Sequence, residues 1–460
     1  MKTIAGNTKQ KTRNRTLLVL ISSTIIFFSS CNHHHEDFAG IPELKKRNVM
    51  LIEPAEEWDA VQTRFANLQR DVKKNPKDVA AKLSLADIYL NEARVTGDEH
   101  YYTAAALYIL NDALDADLKD AEKNQKNDEL KFRALTMKSF AFASEHQFAQ
   151  ALETGKEAVA LNPYNSLIYG VLVDANVELG NYTEAVAMCE KMMDIRPDLR
   201  SYSRTSYLRE IHGDIDGAIE AMKLAVSAGA PGQEQTAWCR ITLGKLYENH
   251  GDLVNAEVQY GLALQERPNY PHALAGIGRV EMKKKNFIAS EKLLNRAIAI
   301  MPSAAMYEDL AMLYAQTGDT KKQQNATATA LEKMEHHHDH DSNVGLERAY
   351  LHLRLKEDYN AALRCMKDEI NMRPENIEVN KVMAWAYYGK GDFKKADEYI
   401  LKAMKTNSQD AEMLCVAGMI KIKSGQEEDG KALLKKALDV NPYAGNNYLA
   451  KEAGDLLAKL

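Results

Sequence analysis

The sequence predicts an all-α protein, an α-solenoid built from about ten stacked helix-turn-helix units with a capping helix at each end. Three observations carry that reading. Ala, Leu, Lys, Glu and Met dominate most windows while Gly and Pro are sparse, at 24 and 11, which favours helices joined by short turns. At 460 residues the chain exceeds what one compact core usually spans, so it forms either several domains or one extended array. The prolines then decide for the array. Pro163, Pro197 and Pro231 stand 34 residues apart, Pro268 and Pro302 again 34, and Pro374 and Pro442 twice that.

The amino terminus is read first, as an address. Residues 1–15 are basic and polar, with Lys2, Lys9, Lys11, Arg13 and Arg15 and no acidic side chain. Thr16 to Phe28 follow as a mostly apolar stretch of about 20 Å if helical, too short for a hydrocarbon core of roughly 30 Å. A basic run, a short apolar run and the small pair Ser29-Ser30 before Cys31 make a secretory signal. Phe28-Ser29-Ser30-Cys31 resembles a bacterial lipoprotein signal, although Leu usually stands first and Gly or Ala third. The resemblance implies cleavage before Cys31 and a lipid on its thiol, so residues 1–30 are expected to be lost. Asn32 is not the aspartate that retains such proteins at the inner membrane, so outer-membrane residence in the cell envelope is the expectation. Residues 31–52 read as a polar tether. An ordinary signal peptide with an incidental cysteine, or a short signal anchor, is the alternative.

Residues 53–76 are expected to form an amino-terminal capping helix, amphipathic through Trp58, Val61, Phe65, Leu68 and Val72. The array proper is placed at 77–442. In 237–268, Leu243-Gly244 is followed by Tyr247, Gly251, Ala256, Tyr260, Ala263 and Pro268. Corresponding sets recur in 166–197 (Tyr169, Leu172, Gly180, Tyr182, Ala185), in 377–408 (Ala384, Tyr387, Gly391, Phe393, Ala396) and in 411–442 (Leu414, Gly418, Gly425, Leu434, Ala437). The pattern resembles the tetratricopeptide repeat, with Arg240 where its Trp stands. That resemblance implies a right-handed superhelix whose inner surface is lined by the first helix of each pair. The physical roles follow residue by residue. Small side chains at Gly244, Gly278, Ala384 and Gly418 let paired helices approach closely. Gly180, Gly251, Gly391 and Gly425 end first helices in a left-handed turn. Asn181, Asp252 and Asp392 suit the caps that follow. Tyr182, Phe148, Phe287 and Phe393 fill the wedge between helices. Departures occur at an extended turn around Gly97-Asp98, at the polar stretch 117–128, at Arg209 where an aromatic is usual, and at Glu357 where glycine is usual. Residues 443–460, with Leu449, Leu456, Leu457 and Leu460, form the carboxy-terminal cap that closes the last apolar face.

The formal net charge is −6 and the basic excess sits in the amino-terminal 30 residues, so the remainder is acidic and well mixed. That argues against nucleic-acid binding, which needs basic patches. Cys189, Cys239, Cys365 and Cys415 fall in helical patterns and read as small buried hydrophobes. No His-Glu-x-x-His, Gly-x-Ser-x-Gly, phosphate loop or dinucleotide fingerprint is present, so no catalytic activity is expected. Two histidine clusters stand out: His33, His34 and His35, then His336, His337, His338 and His340, both with neighbouring carboxylates. They read either as Zn, Ni or Cu ligands or as a solvated tether and loop.

Carrying the inner face of a tetratricopeptide array onto this chain selects Tyr207, Trp238, Lys245, His272, Arg279, Arg354, Trp385 and Tyr388. Aromatics and Arg dominate binding energy at interfaces, although the Trp and Tyr side chains could equally pack within repeats. Glu248, Glu347, Glu378 and Glu412 lie on or near the same face, which makes it mixed in charge. The expected function is a membrane-anchored scaffold for a protein or peptide partner. The alternatives are a metal-handling lipoprotein and an assembly factor for outer-membrane or cell-wall machinery.

Overall fold

The computed structural model describes residues 38, 40–51, 55–118, 124–336, 344–443 and 448–459. Cys31, His33, His34 and His35 lie outside these residues, as do His337, His338, His340 and the side chain of His336. The described residues form helices and no strand.

Helix α1 (Ala55–Lys74) leads into ten antiparallel helix pairs: α2 (Val79–Thr96) with α3 (Glu99–Asp112), α4 (Gln125–Ser144) with α5 (Phe148–Leu161), α6 (Ser166–Leu179) with α7 (Tyr182–Ile195), α8 (Leu199–Ile211) with α9 (Ile215–Ala228), α10 (Glu234–Asn249) with α11 (Leu253–Glu266), α12 (Pro271–Lys283) with α13 (Phe287–Ile300), α14 (Ala304–Thr317) with α15 (Thr320–His336), α16 (Gly345–Leu351) with α17 (Tyr359–Met372), α18 (Ile377–Gly389) with α19 (Phe393–Ala403), and α20 (Ala411–Lys423) with α21 (Glu427–Val440). Helix α22 (Tyr448–Lys459) packs on α20 and α21. The architecture is an α-solenoid, as the sequence predicts.

The pairs are built as the residue types require. Ser139, Ser206 and Ser290 lie buried in the pair interface, and each hydroxyl donates to a backbone carbonyl of the facing helix. A methyl group on Gly244 would run into the Tyr260 ring, and one on Gly418 would meet the Leu434 side chain at 2.7 Å, so close helix approach excludes larger residues there. Asp252 and Asp392 accept hydrogen bonds from the first-turn amides of Asn255 and Lys395. Asn181 differs: its amide donates to Asn176 Oδ1 instead of capping α7. Glu357 takes the left-handed conformation expected of its missing glycine, at φ 50°, after a single wide helical turn at His352–Lys356. No extended turn forms at Gly97-Asp98. The extra residues lengthen α2 instead, and α3 starts immediately after Asp98.

Residues 40–51 are not a free tether. Ile41 and Leu44 pack on the first pair. The hydroxyls of Tyr101 and Tyr102 donate to the carbonyls of Glu43 and Lys45. Arg47 is buried against Glu92, with two hydrogen bonds of 2.8 and 2.6 Å, and its guanidinium lies over the Trp58 ring. The polar composition that suggests a solvated segment conceals apolar residues at the spacing of an extended strap.

The pairs coil back on themselves. Arg373 pairs with Glu178, 195 residues earlier, and the Asn376 amide donates to the Glu178 carbonyl. Asn441 reaches the carbonyls of Glu248 and Asn249. Asn48 reaches forward to the carbonyls of Ala299 and Ile300, and Glu57 to Arg267. These contacts span roughly 190–250 residues, so a coil closes after close to six repeats of 34. At each seam a side chain satisfies carbonyls that a helix end leaves without partners.

Candidate functional site

The last six pairs form a ring. It closes where Asn441, just beyond α21, hydrogen-bonds the carboxy-terminal end of α10. Inside lies a cavity of about 720 Å³, lined by α10, α12, α14, the wide turn after α16, α18 and α20. The inner wall is therefore made mainly of first helices, with Gln323 of α15, Asn441, Tyr443 and Leu449 of α22 completing it. Trp238 and His272 stand one 34-residue period apart, as do Lys245 and Arg279.

The wall is charged, and most of its charges are consumed internally. Glu248, with its side chain 4% exposed, accepts from Arg279 at 3.1 Å and Lys283 at 2.8 Å, and from the Tyr260 hydroxyl at 2.7 Å. These two cations hold its carboxyl well below the usual range against the opposing effect of burial. Arg279 also reaches Asp309 at 3.2 Å. Burial pushes the Asp309 carboxyl up to about 6 despite that partner. On the opposite wall Arg354 binds Glu412 at 2.9 Å and Glu308 at 3.2 Å, and Lys381 lies 3.2 Å from Glu412. Burial opposes ionisation of Glu412, but Arg354 and Lys381 hold it down at about 2.

The eight inner-face residues read from the sequence fall in five different settings. Trp238 (45% exposed), Lys245 and His272 stand together at one side of the ring: the Trp238 and His272 rings meet edge-to-face at 5.3 Å, and the Lys245 ammonium lies 5.7 Å from the Trp238 ring centre. Arg279 and Arg354 line the cavity but are committed to carboxylates. Tyr207 sits apart in a small cleft of about 80 Å³ with His146, Glu178 and Arg373. Trp385 borders the cavity but is 2% exposed and packs in the hydrophobic core, so it is not the exposed contact that the sequence reading selects. Tyr388 faces away from the cavity, packing on Phe393 and donating to Glu452 of α22. Sequence reasoning missed Lys381, Asp309, Glu308 and Asn441. Lys381 lies one period after Glu347, and Asn441 precedes the period-marking Pro442, so register was the available signal.

Among the described residues no group of three or more His, Cys, Asp or Glu side chains is arranged to hold a metal ion, and no helix is long and apolar enough to cross a membrane. The four described cysteines are free thiols. Burial pushes Cys239 and Cys415 up to about 12, as expected for small hydrophobes and not for nucleophiles.

Models of the tetratricopeptide repeat match residues 142–204, 382–410 and 411–443. No curated protein matches the chain. Among solved structures, TTC0263, a thermophilic tetratricopeptide protein of Thermus thermophilus, is 22% identical over 41% of this chain and 94% of its own, with a TM-score of 0.34. The human IFIT1 dimer with PPP-AAAA is 12% identical over 85% of this chain and 95% of its own, at 0.44. The Cut9-Hcn1 assembly of the APC/C is 12% identical over 88% and 94%, at 0.37.

Proposed function

We propose that this tetratricopeptide-repeat protein is a non-enzymatic scaffold, holding a protein or peptide partner on the inner wall of its last six repeats, and that lipid on Cys31 tethers it to a bacterial envelope membrane, the outer membrane in preference to the inner. Tetratricopeptide repeats suggest protein–protein interaction. The observation that carries the reading here is the cavity. It has a volume of about 720 Å³ and is lined by the exposed Lys245, whose ammonium lies 5.7 Å from the ring of the exposed Trp238. Aromatic and cationic side chains on a rigid wall are what an interface core needs.

Affinity capture from solubilised membranes tests the scaffold. Proteins retained by the wild-type chain should be lost from the double variant Trp238→Ala, Lys245→Ala. Identical capture by both sinks the reading. The anchor is tested separately. The mature chain should begin at Cys31 and enter the detergent phase, and Cys31→Ser should leave it soluble or unprocessed. An intact Met1 on the membrane-bound protein removes the anchor without touching the scaffold.

A further inference from the structure

We infer that the seam joining the α6–α7 turn to the α17–α18 turn is a proton-sensitive latch, which holds two coils of the solenoid together while its cleft retains a proton and loosens as the carboxylates there all ionise. The inference is independent of the partner and of the anchor.

The seam is a short run of contacts between segments nearly 200 residues apart. Arg373, at the end of α17, lies over the Phe148 ring at 5.2 Å and bonds Glu178 at 2.6 Å. The Asn376 amide donates to the Glu178 carbonyl, and the Ile377 N–H donates to the Tyr182 hydroxyl, both at 2.9 Å. Ile377 is the first residue of α18, so its N–H has no acceptor within its own helix and finds one across the seam. Between these contacts lies the cleft of about 80 Å³. A space this small hydrates ionised groups poorly, so the balance of charge inside it matters.

That balance is negative. Glu178 enters the cleft from α6, Glu347 from α16 and Glu378 from α18. Arg373 is divided between Glu178 and Glu369 of α17, each at 2.6 Å. Lys381 of α18 is divided between Glu378 at 2.8 Å, Glu412 at 3.2 Å and Asp410 at 3.5 Å. Asp174, one turn before Glu178, is taken by Arg204 of α8. Glu347 has no such cation. Its basic neighbour is His146 Nδ1 at 4.0 Å, and burial with the Arg373 charge alongside holds that imidazole below its ordinary value. The Glu347 Oε2 atom is buried without a hydrogen-bond donor, a position that suits a carboxylic acid better than a carboxylate. Tyr182 of α7 and Tyr207 of α8 complete the lining, and burial pushes both phenols up, so they stay neutral. Glu210, one turn after Tyr207, adds further negative charge nearby.

The carboxyls respond accordingly. Burial, with Glu347, Asp174 and Glu378 adding like charge, pushes Glu178 up to about 7 in spite of Arg373. Burial also raises Glu347, with Glu369 adding to it. Both groups hold a proton more tightly with the seam closed than in open solvent. Their contribution to closure is complete below the ordinary carboxylate range and is lost as pH rises through about 7.

Hydrogen exchange at the Ile377 amide reads the latch directly. It is measured on the full chain and on its Glu178→Gln, Glu347→Gln double variant, with circular dichroism confirming that both fold. After correction for the intrinsic pH dependence of exchange, wild-type protection at Ile377 should fall about tenfold from about pH 5.5 to about pH 8.5. Met383, in the interior of α18, should keep its protection over the same range. The double variant should show constant protection at Ile377. Equal profiles for the two proteins overturn the inference, as does protection that rises with pH as the Glu178–Arg373 pair ionises. A parallel loss at Met383 also overturns it, by making the transition global unfolding.

Discussion

Asn441 and Glu248 lie 193 residues apart in the chain, and the Asn441 side-chain amide donates to the Glu248 backbone carbonyl at 3.3 Å and to that of Asn249 at 2.8 Å. This one amide joins the last repeat to the fifth. It caps the Asn249 carbonyl at the end of α10 and adds to the turn hydrogen bond that the Glu248 carbonyl accepts from Gly251. Replacing it leaves the Asn249 carbonyl without its donor and removes a second donor from the Glu248 carbonyl, so Asn441→Ala should destabilise the protein by about 1–3 kcal/mol. Small-angle scattering should show a larger radius as the ring opens, and urea titration gives the energy. An unchanged radius with unchanged stability would show that the seam holds without it.

Arg47 should be among the most sensitive positions outside the repeats. Its side chain and that of Glu92 are both 2% exposed, and it also reaches Glu57 at 3.0 Å. Arg47→Met fills similar volume but strands the Glu92 carboxylate, a loss of roughly 3–5 kcal/mol. The double variant Arg47→Met, Glu92→Leu should recover most of it. Equal instability of the single and double variants would assign the effect to packing of the strap instead of to the charge.

Gly180 joins two constraints. Its φ is +81°, and a methyl group there would collide with the Glu375 carbonyl carbon one coil away. The left-handed conformation alone should make Gly180→Ala less stable by about 1–2 kcal/mol. Gly391, also left-handed at +77°, has open space around it. Gly391→Ala therefore isolates the conformational part, and thermal melts of the two variants should differ by the seam contact. Equal melting temperatures would remove that contact from the account.

Glu210 should impose a pH dependence. Burial, with Asp410 and Glu378 adding like charge, pushes its carboxyl up to about 7 from 4.5. The folded state therefore binds this proton more tightly than the unfolded state does. Stability should fall as pH rises from about 4.5 to about 7 and then stay at the lower level. Glu210→Gln should match wild type near pH 4.5 and exceed it at pH 8. Denaturant midpoints measured across this range check the sign, and parallel profiles for the two proteins would reject it.

The sequence by itself determined the repeating unit. Proline spacing, the small residues at Gly244 and Gly418, and the turn glycines depend on contacts within one helix pair or between neighbours, and such contacts recur at a fixed register. Burial of Trp58, Phe65 and Val72 in α1 was legible for the same reason, since one helical face meets one adjacent partner. The inner wall was half legible. Register selects Trp238, Lys245, His272 and Arg279, but it cannot say which charges are spent on one another. Arg279 and Arg354 carry the residue type of a binding anchor, and their positions commit them to Glu248 and Glu412.

Coil closure was decided by tertiary structure alone. Small rotations between successive pairs add up over six repeats, and no local pattern encodes their sum. Only that sum brings Asn441 to Glu248, Arg373 to Glu178 and Asn48 to Ile300. Contacts separated by roughly 200 residues leave no periodic trace, because each is made once, between side chains whose types would suit a turn equally well. The strap at 40–51 is hidden on the same ground: it reads as polar chain until the first repeat and the α13 carbonyls stand where its side chains can reach them.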